Sequence, residues 1–418
     1  MTGRSTLVIL SFAAGAVSVV LLHTLLFPPT ITVGHFRPSF AFPEVANGTP
    51  PLLHSSWNRP EKFQWHTWED YQAGPKRSGK PELGKQQKLF SADHEARIQH
   101  IGPTVRRMAR SNNNTIVTAV VNLGQLPLFL NFACSCEKSG IPFRKFTFVF
   151  CLDDGAARAL KVLGVAHHRV ETHNHGDIST PAKVFGDPVF SAIMFYKSAM
   201  VYELLSTFSI NVLSMDVDMV WRHNPLSYFY EPERQSTDIF LSYDGGNNHW
   251  QPIYGNTGFV FTRPTNRSKL FWQEVYLNAH YSASQQKITS PLLTHHYILN
   301  DLRIEVLPNQ FVNGHLFIKG IVDKTYRTGL PHELTALKDV PHDWLVAHAS
   351  WTGNITYKVE KLLAINQWHL ASQSPAEISE LGKRAAANAT SGAPVFQLKC
   401  VSLPPYHPPG WSENKQDK

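Results

Sequence analysis

Two carboxylates, Asp216 and Asp218, stand one residue apart between the apolar runs Val212-Leu213 and Met219-Val220-Trp221. In an extended chain alternate side chains share a face, so both carboxylates point to the same side. Two like charges in an apolar segment are costly to bury unless something positive sits between them. Paired hard oxygens suit a divalent cation such as Mn2+ or Mg2+. An ion held this way acts as a Lewis acid and as a template for the group bound to it. Four further features follow the same pattern of polar groups beside apolar runs. Lys197 lies one helix and a turn upstream, and Asp244 closes the run from Thr237 to Tyr243. Gly255-Asn256-Thr257-Gly258 opens the next run, and His348 closes a late one, offering an imidazole that commonly serves metals.

Strands and helices must position these groups. Thr115 to Val121 is β-branched and apolar, which predicts a buried strand. Leu126 to Lys138 has helical spacing, and Phe146 to Leu152 predicts a second strand. Asp153-Asp154 then caps a helix from Gly155 to Leu163. Phe190 to Phe208 predicts a long amphipathic helix carrying Lys197. On it, a solvated lysine and a charge partner for a phosphate or for Asp216 are both open readings. Ile210 to Met215 predicts the next strand, ending at the carboxylate pair. This alternation reads as a parallel sheet with crossover helices, whose ligands collect outside the carboxyl ends of the strands. Further strands are expected at Thr237 to Tyr243, within Tyr254 to Arg263, at Arg303 to Leu307 and at Trp344 to His348. Further helices are expected at Ser268 to His280, around Leu292 to Leu299 and at Tyr357 to Trp368.

With 418 residues, 43% of them hydrophobic, the chain has room for one large domain with extras or for two domains. The formal charge of +7 is spread without a long basic run. It suits a phosphate-bearing ligand or an anionic glycan, and no aromatic-basic signature marks nucleic acid as a partner. Leu7 to Phe27 is a near-continuous apolar run, long enough to span a hydrocarbon core of roughly 30 Å as a helix. Arg4 precedes it and no charge follows until Arg37, so residues 1–6 are expected in the cytosol and the rest across the membrane. A cleaved signal peptide is the alternative, but no small-x-small site lies near Phe27-Pro28-Pro29. The expected layout is an anchor at 7–27, a stem at 28–114, a catalytic domain at 115–370 and a loose tail at 371–418. The stem is rich in Pro, Gly and Lys, carries Trp57, Trp65 and Trp68, and contains a short helix from Ala92 to Ala109. Asn47, Asn113, Asn266, Asn354 and Asn388 are glycosylation sequons, as expected of a lumenal protein. Cys134, Cys136, Cys151 and Cys400 are free to pair in an oxidising lumen, with the connectivity open. Cys134 and Cys136 point to different helix faces and are not expected to bridge.

Lys197, then Val212-Leu-Ser-Met-Asp-Val-Asp-Met-Val-Trp221 with Asn224-Pro225, then Gly255-Asn-Thr-Gly-Phe259, then His348-Ala-Ser-Trp351, occur in that order. The combination resembles the nucleotide-diphospho-sugar transferase domain of glycosyltransferase family 77, over Thr115 to Trp368. The resemblance implies an α/β, A-type glycosyltransferase fold: Rossmann-like, with a mostly parallel central sheet and flanking helices. It implies a UDP-sugar donor of the xylose, galactose or arabinose class, a glycan or glycoprotein acceptor, Mn2+ or Mg2+, retention of configuration, and a type II Golgi membrane protein. By the same resemblance Asp218 contacts the metal directly, Asp216 serves the ribose or a metal-bound water, and His348 is the third protein ligand. Lys358 and Lys361 are placed to meet diphosphate oxygens as exposed helix lysines. Lys197 pairs with donor phosphates or with Asp216. Asn256, Thr257 and Gly258 let the backbone approach the sugar, and Asp244 acts at the sugar hydroxyls or near the anomeric carbon.

One departure stands out. Family members open the helix after the Gly-Asn-Thr-Gly strand with an Asp-Gln pair, whereas this chain reads Ser284-Gln285-Gln286. The sugar side therefore lacks an expected acid, which motivates a rival reading as a membrane-tethered glycan-binding or scaffold protein of the same fold. A metal-dependent hydrolase would need a general base that is not evident beside the pair. His173-Asn-His-Gly-Asp177 resembles a metal cluster but shows no full ligand set, and no nucleophile elbow or P-loop occurs.

Overall fold

The computed structural model describes residues 81–172, 178–182, 186–244, 253, 255–282, 284–314, 342–352, 354–371, 380, 383, 400 and 401. The expected anchor, most of the stem with its tryptophans, Asn47 and Asn388, the His173–Asp177 cluster and nearly all of the tail lie outside the described residues. Among the described residues no helix is long and apolar enough to cross a membrane.

The central sheet has seven strands. They are β1 (Thr115–Val121), β2 (Thr147–Cys151), β3 (Ala166–Arg169), β4 (Asn211–Met215), β6 (Ile239–Tyr243), β7 (Gly255–Thr262) and β8 (Ile304–Leu307), in the order β3-β2-β1-β4-β7-β6-β8. β5 (Met219–Trp221), β9 (Phe311–Val312) and β10 (Val346–His348) form a second, small sheet in the order β5-β10-β9. The first four strands of the large sheet in that order are mutually parallel, as expected. β7 departs from the expected parallel pattern: it runs antiparallel to both β4 and β6. That reversal brings the start of β7 beside the end of β4, with Phe259 opposite Met215. A pattern of apolar runs carries no strand direction, so composition alone left this open.

Every residue of β1 is buried, because both faces of the sheet are covered. Val117, Ala119 and Val121 face one core with Phe129, Leu213, Trp221 and Phe261. Ile116 and Val120 face the other with Phe148, Tyr196, Val212 and Trp272. The period of two thus sorts one apolar run into two cores. α3 (Leu126–Lys138) covers the first face, and α4 (Asp154–Val162) begins where the Asp153 side chain accepts the Ala156 N–H, the expected cap. α5 (Pro188–Phe208) covers the second face. It is not amphipathic: thirteen of its 21 residues are buried, because α7 (Asn266–Leu277) packs over it.

The short helix expected from Ala92 to Ala109 is α2 (His94–Arg110), and a further helix, α1 (Pro81–Ala92), precedes it. Their Leu83, Phe90, Ile101, Val105 and Met108 belong to the second core, so the folded domain extends upstream of Thr115. Arg97 and Glu203 form a buried pair at 2.8 Å that ties α2 to α5. Asn113 and Asn266 are exposed, while Asn354 caps α9 (Ile355–Ala364) by accepting the Tyr357 N–H.

Cys134 bonds Cys400, across 266 residues of sequence, and Cys136 and Cys151 are free and buried. Cys134 sits in α3, so the bridge pins the late chain against the first core. Cys400→Ser is expected to lower stability by about 2–4 kcal/mol, since a bridge over so long a loop strongly restricts the unfolded chain. Chemical unfolding of the variant beside the unaltered protein, both without reductant, measures this. Identical midpoints would mean that the bridge carries no stabilising role.

Candidate active site

β4 ends at Met215, and Asp216-Val217-Asp218 carries the chain from the large sheet into β5 of the small one. The Asp216 N–H donates to the Gly258 carbonyl at 2.7 Å, which ties the turn to the start of β7. β10 pairs with β5 so that His348 lies opposite Met219, next to Asp218. Register therefore sets the histidine against the carboxylates. His348 Nε2 lies 3.5 Å from Asp216 Oδ2 and 3.4 Å from Asp218 Oδ1. The other oxygen of each carboxylate is taken by a lysine. Lys197 Nζ lies 2.5 Å from Asp216 Oδ1, and Lys358 Nζ lies 2.6 Å from Asp218 Oδ2. Lys197 is buried on α5 and also donates to the Thr257 carbonyl at 2.7 Å, so it is no solvated lysine.

This arrangement fits a divalent cation. Two lysines turn the outer oxygens away, and the inner oxygens converge with Nε2, one ligand atom from each residue within 4.8 Å of the others. Two hard oxygens and one imidazole nitrogen suit Mn2+ or Mg2+. Gly258 leaves the space: a Cβ there would meet His348 Cε1 at 2.1 Å and Asp216 Oδ2 at 2.8 Å. Burial pushes both carboxyls up, yet Lys197 and His348 at Asp216, and Lys358 and His348 at Asp218, outweigh it and hold both well below the usual carboxylate range. Burial lowers the His348 pKa, and the two carboxylates overcome this and raise it. A cleft opens beside the pair, with Val120, Leu128 and Ile193 on its wall and Lys197 and Lys358 at the carboxylates.

Asp244 follows the end of β6 and is buried. Its Oδ1 accepts from Asn256 Nδ2 at 2.6 Å, Trp351 Nε1 at 3.0 Å and Asn313 Nδ2 at 3.2 Å. Its Oδ2 accepts from Gln286 Nε2 at 2.6 Å. Asn256 Oδ1 in turn accepts the Gly258 N–H, which joins this network to the carboxylate pair. The start of α8 (Gln285–Leu299), which lacks an acid of its own, is therefore met by one. α8 opens with Gln286 turned onto Asp244, so a carboxylate from β6 sits where the helix itself supplies none. Both side-chain polar atoms of Gln285 are buried and, among the described residues, find no hydrogen-bond partner.

Asn313, Trp351 and Gln286 went unassigned in the sequence. Gln286 stands within the departing Gln-Gln pair, and Trp351 within the His-Ala-Ser-Trp motif. Asn313 has only the Asn-Gly after Phe311-Val312 to mark it. Lys361 corrects an expectation: it is buried rather than exposed, and its Nζ donates to the Ser350 and Trp351 carbonyls. Burial first, and then the Lys358 charge, push its amine well below the usual lysine range. Trp351 has φ of +61°, a left-handed conformation costing a bulky residue about 1–3 kcal/mol. Lys361 on one side and the indole bond to Asp244 on the other hold it there. Lys358 reaches Asp218 and is 23% exposed, which leaves it alone of the two helix lysines facing the cleft.

A family profile described as nucleotide-diphospho-sugar transferase matches residues 143–362, just over half of the chain. The chain belongs to the nucleotide-diphospho-sugar transferase family. The matched span contains Lys197, Asp216, Asp218, Asp244, Asn256, Gln286, His348 and Lys358, so this transferase holds all the polar groups of the carboxylate pair and the Asp244 network within it. Among solved structures, the transferase is similar to a glycosyltransferase involved in glycosylation of the major capsid of PBCV-1, at 12% identity over 64% of this chain and 98% of that one, with a TM-score of 0.32. It is similar to mouse xyloside xylosyltransferase 1 at 13% identity over 56% and 96%, with a TM-score of 0.36. The galactosyltransferase LgtC matches at 14% identity over 66% and 96%, with a TM-score of 0.39. No curated protein matches the sequence.

Proposed function

We propose that this transferase moves a sugar of the xylose, galactose or arabinose class from a UDP-sugar to a glycan or glycoprotein acceptor, with retention of configuration. The observation that carries this reading is the convergence of Asp216, Asp218 and His348, with a lysine on each outer carboxylate oxygen. Mn2+ or Mg2+ bound there supplies Lewis acidity to the departing diphosphate. Asp218 and His348, both buried, would hold such an ion in a fixed position, while Asp216 is partly open to the donor. Lys358 is close enough to the surface to turn from Asp218 toward diphosphate oxygens, adding a positive charge where negative charge develops. Lys197, locked between Asp216 and the Thr257 carbonyl, keeps the carboxylate turned inward. The apolar wall of the cleft fits a nucleobase. Asp244 and Asn256, both buried, and the half-buried Gln286 form a polar wall suited to sugar hydroxyls, with four donors turned onto Asp244.

The same reading includes a type II Golgi membrane protein, anchored through residues 7–27 with the catalytic domain in the lumen. The apolar run, the sequons and the Cys134–Cys400 bridge support it, because disulfides persist in oxidising compartments.

The test is UDP release by the purified full chain with Mn2+ and a panel of UDP-xylose, UDP-galactose and UDP-arabinose, alongside calorimetry with UDP. Turnover with one donor class is the expected result. A folded protein that neither binds UDP nor releases it overturns the reading. Glycan binding without nucleotide binding would favour the scaffold alternative instead.

A further inference from the structure

A second concave site lies at the amino ends of the parallel strands, opposite the carboxyl end of β4 that Asp216 follows. Ser111 precedes β1, Arg144 and Lys145 precede β2, and Gly164 precedes β3, and these three strands are parallel. All four residues line one open cleft of about 630 Å3, a volume within the range of ligand sites, about 300–1,000 Å3. Asp216, by contrast, follows the carboxyl end of β4, which is parallel to β1. The cleft is therefore separate from the transfer site.

Its lining is basic. His100, Arg107, Arg144, Lys145, Lys161 and His167 all contribute, and no carboxylate does. Arg144 is partly neutralised, since it pairs with Glu137 at 2.5 Å and donates to the Leu163 carbonyl at 2.8 Å. Arg107, Lys145 and Lys161 are exposed, and among the described residues none of their side chains forms a hydrogen bond or ion pair. Three unneutralised cations on one concavity repel one another unless an anion joins them. Thr104 and Ser111 add hydroxyls between the cations.

We propose that this groove binds an acidic glycan, a chain of sugars bearing sulfate or carboxylate groups, remote from the transfer cleft. Separated cations with interspersed hydroxyls match charges spaced along a hydroxyl-rich polymer. A concave surface does not suit a flat bilayer. The one Phe, Tyr or Trp in the lining, Phe148, is buried and offers no platform for stacking bases. The choice of a glycan over another polyanion rests on the transferase reading above.

The experiment uses the purified full chain and a sulfated dextran oligosaccharide, with uncharged dextran, polyglutamate, oligo-dT and phosphatidylserine vesicles as competitors. Sulfated dextran binds, and the affinity falls steeply with salt. The Arg107→Ala/Lys145→Ala/Lys161→Ala variant binds it at least tenfold more weakly, with unchanged melting temperature and unchanged UDP–Mn2+ binding. Should the triple variant melt early, Lys145→Gln and Lys161→Gln singly are each expected to cost about threefold. Unchanged affinity in the variants sinks the proposal, as does equal or tighter binding by any of the four competitors. Absence of UDP binding by the unaltered chain would instead count against the transferase reading alone.

Discussion

Asp218→Asn is expected to remove Mn2+-dependent UDP binding and to lower turnover by about a thousandfold, about 4 kcal/mol of transition-state stabilisation. Asp218 is 1% exposed and contributes one oxygen to the group facing His348 and the other to Lys358. An amide of the same shape keeps one acceptor but replaces the second with an NH2 group. That group must face either Lys358 or the cation, and it repels both. The loss of charge also leaves two cationic neighbours with Asp216 alone. Lys358 is partly exposed and can turn to water, so the melting temperature should move by only a few degrees, as for a well-tolerated isosteric change. Calorimetry with UDP, with and without Mn2+, measures the binding, and thermal melting checks the fold. Retained Mn2+-dependent binding in a folded variant would put the metal elsewhere.

Asp244→Ala is expected to be the most destabilising single change in the site, by about 3–5 kcal/mol. Four donors converge on this carboxylate, from Asn256, Gln286, Asn313 and Trp351. A buried donor left unpaired costs about 1–3 kcal/mol, and water entering the space would recover part of the sum. Trp351 also loses one of the two holds on its left-handed backbone. Asp244→Asn separates stability from function. Its oxygen still accepts the Asn256, Trp351 and Asn313 bonds, and Gln286 can turn its own amide to meet the new NH2. The Asn variant should keep most of the stability and still lose turnover by about a hundredfold, because on the proposed reading the wall facing the donor sugar loses its charge. Urea unfolding of both variants, with UDP release for the Asn variant, checks this. Equal unfolding midpoints for Asp244→Ala and the unaltered protein would show that the network is not structural.

Much of the architecture was legible locally. Thr115 to Val121 and Leu126 to Lys138 carry their structure in composition and spacing, and the Asp153 cap follows from one acceptor side chain at a helix start. These features depend on neighbours within a few residues. β3 and β9 were not expected, because a partly exposed edge strand of sequence Ala-His-His-Arg and a pair of residues carry no periodic signal. α5 looked amphipathic and is buried nearly all round. Its small and aromatic residues serve two neighbours, and one of those, α7, comes from a distant part of the chain. Lys361 looked exposed for the same reason: the carbonyls that bury it belong to the turn after β10.

The candidate site divides along the same line. Asp216-Val-Asp218 between apolar runs by itself indicated a buried carboxylate pair in need of a cation, since the one-residue spacing and the cost of burying like charge are local facts. The order of motifs along the chain indicated the family. Only the tertiary structure decided what completes each half. The pairing of β10 with β5 brings His348 to the carboxylates from 130 residues downstream of Asp218, and α5 and α9 supply the lysines that orient them. The antiparallel course of β7 carries Asn256 and Gly258 to the same place. The helix start of Ser284-Gln285-Gln286 lacks an acid, and the sequence could only register that lack. Asp244, 42 residues earlier, meets Gln286 there because the end of β6, the start of β7 and the start of α8 converge. Convergence of segments far apart in sequence depends on strand direction and register, which side-chain patterns do not encode.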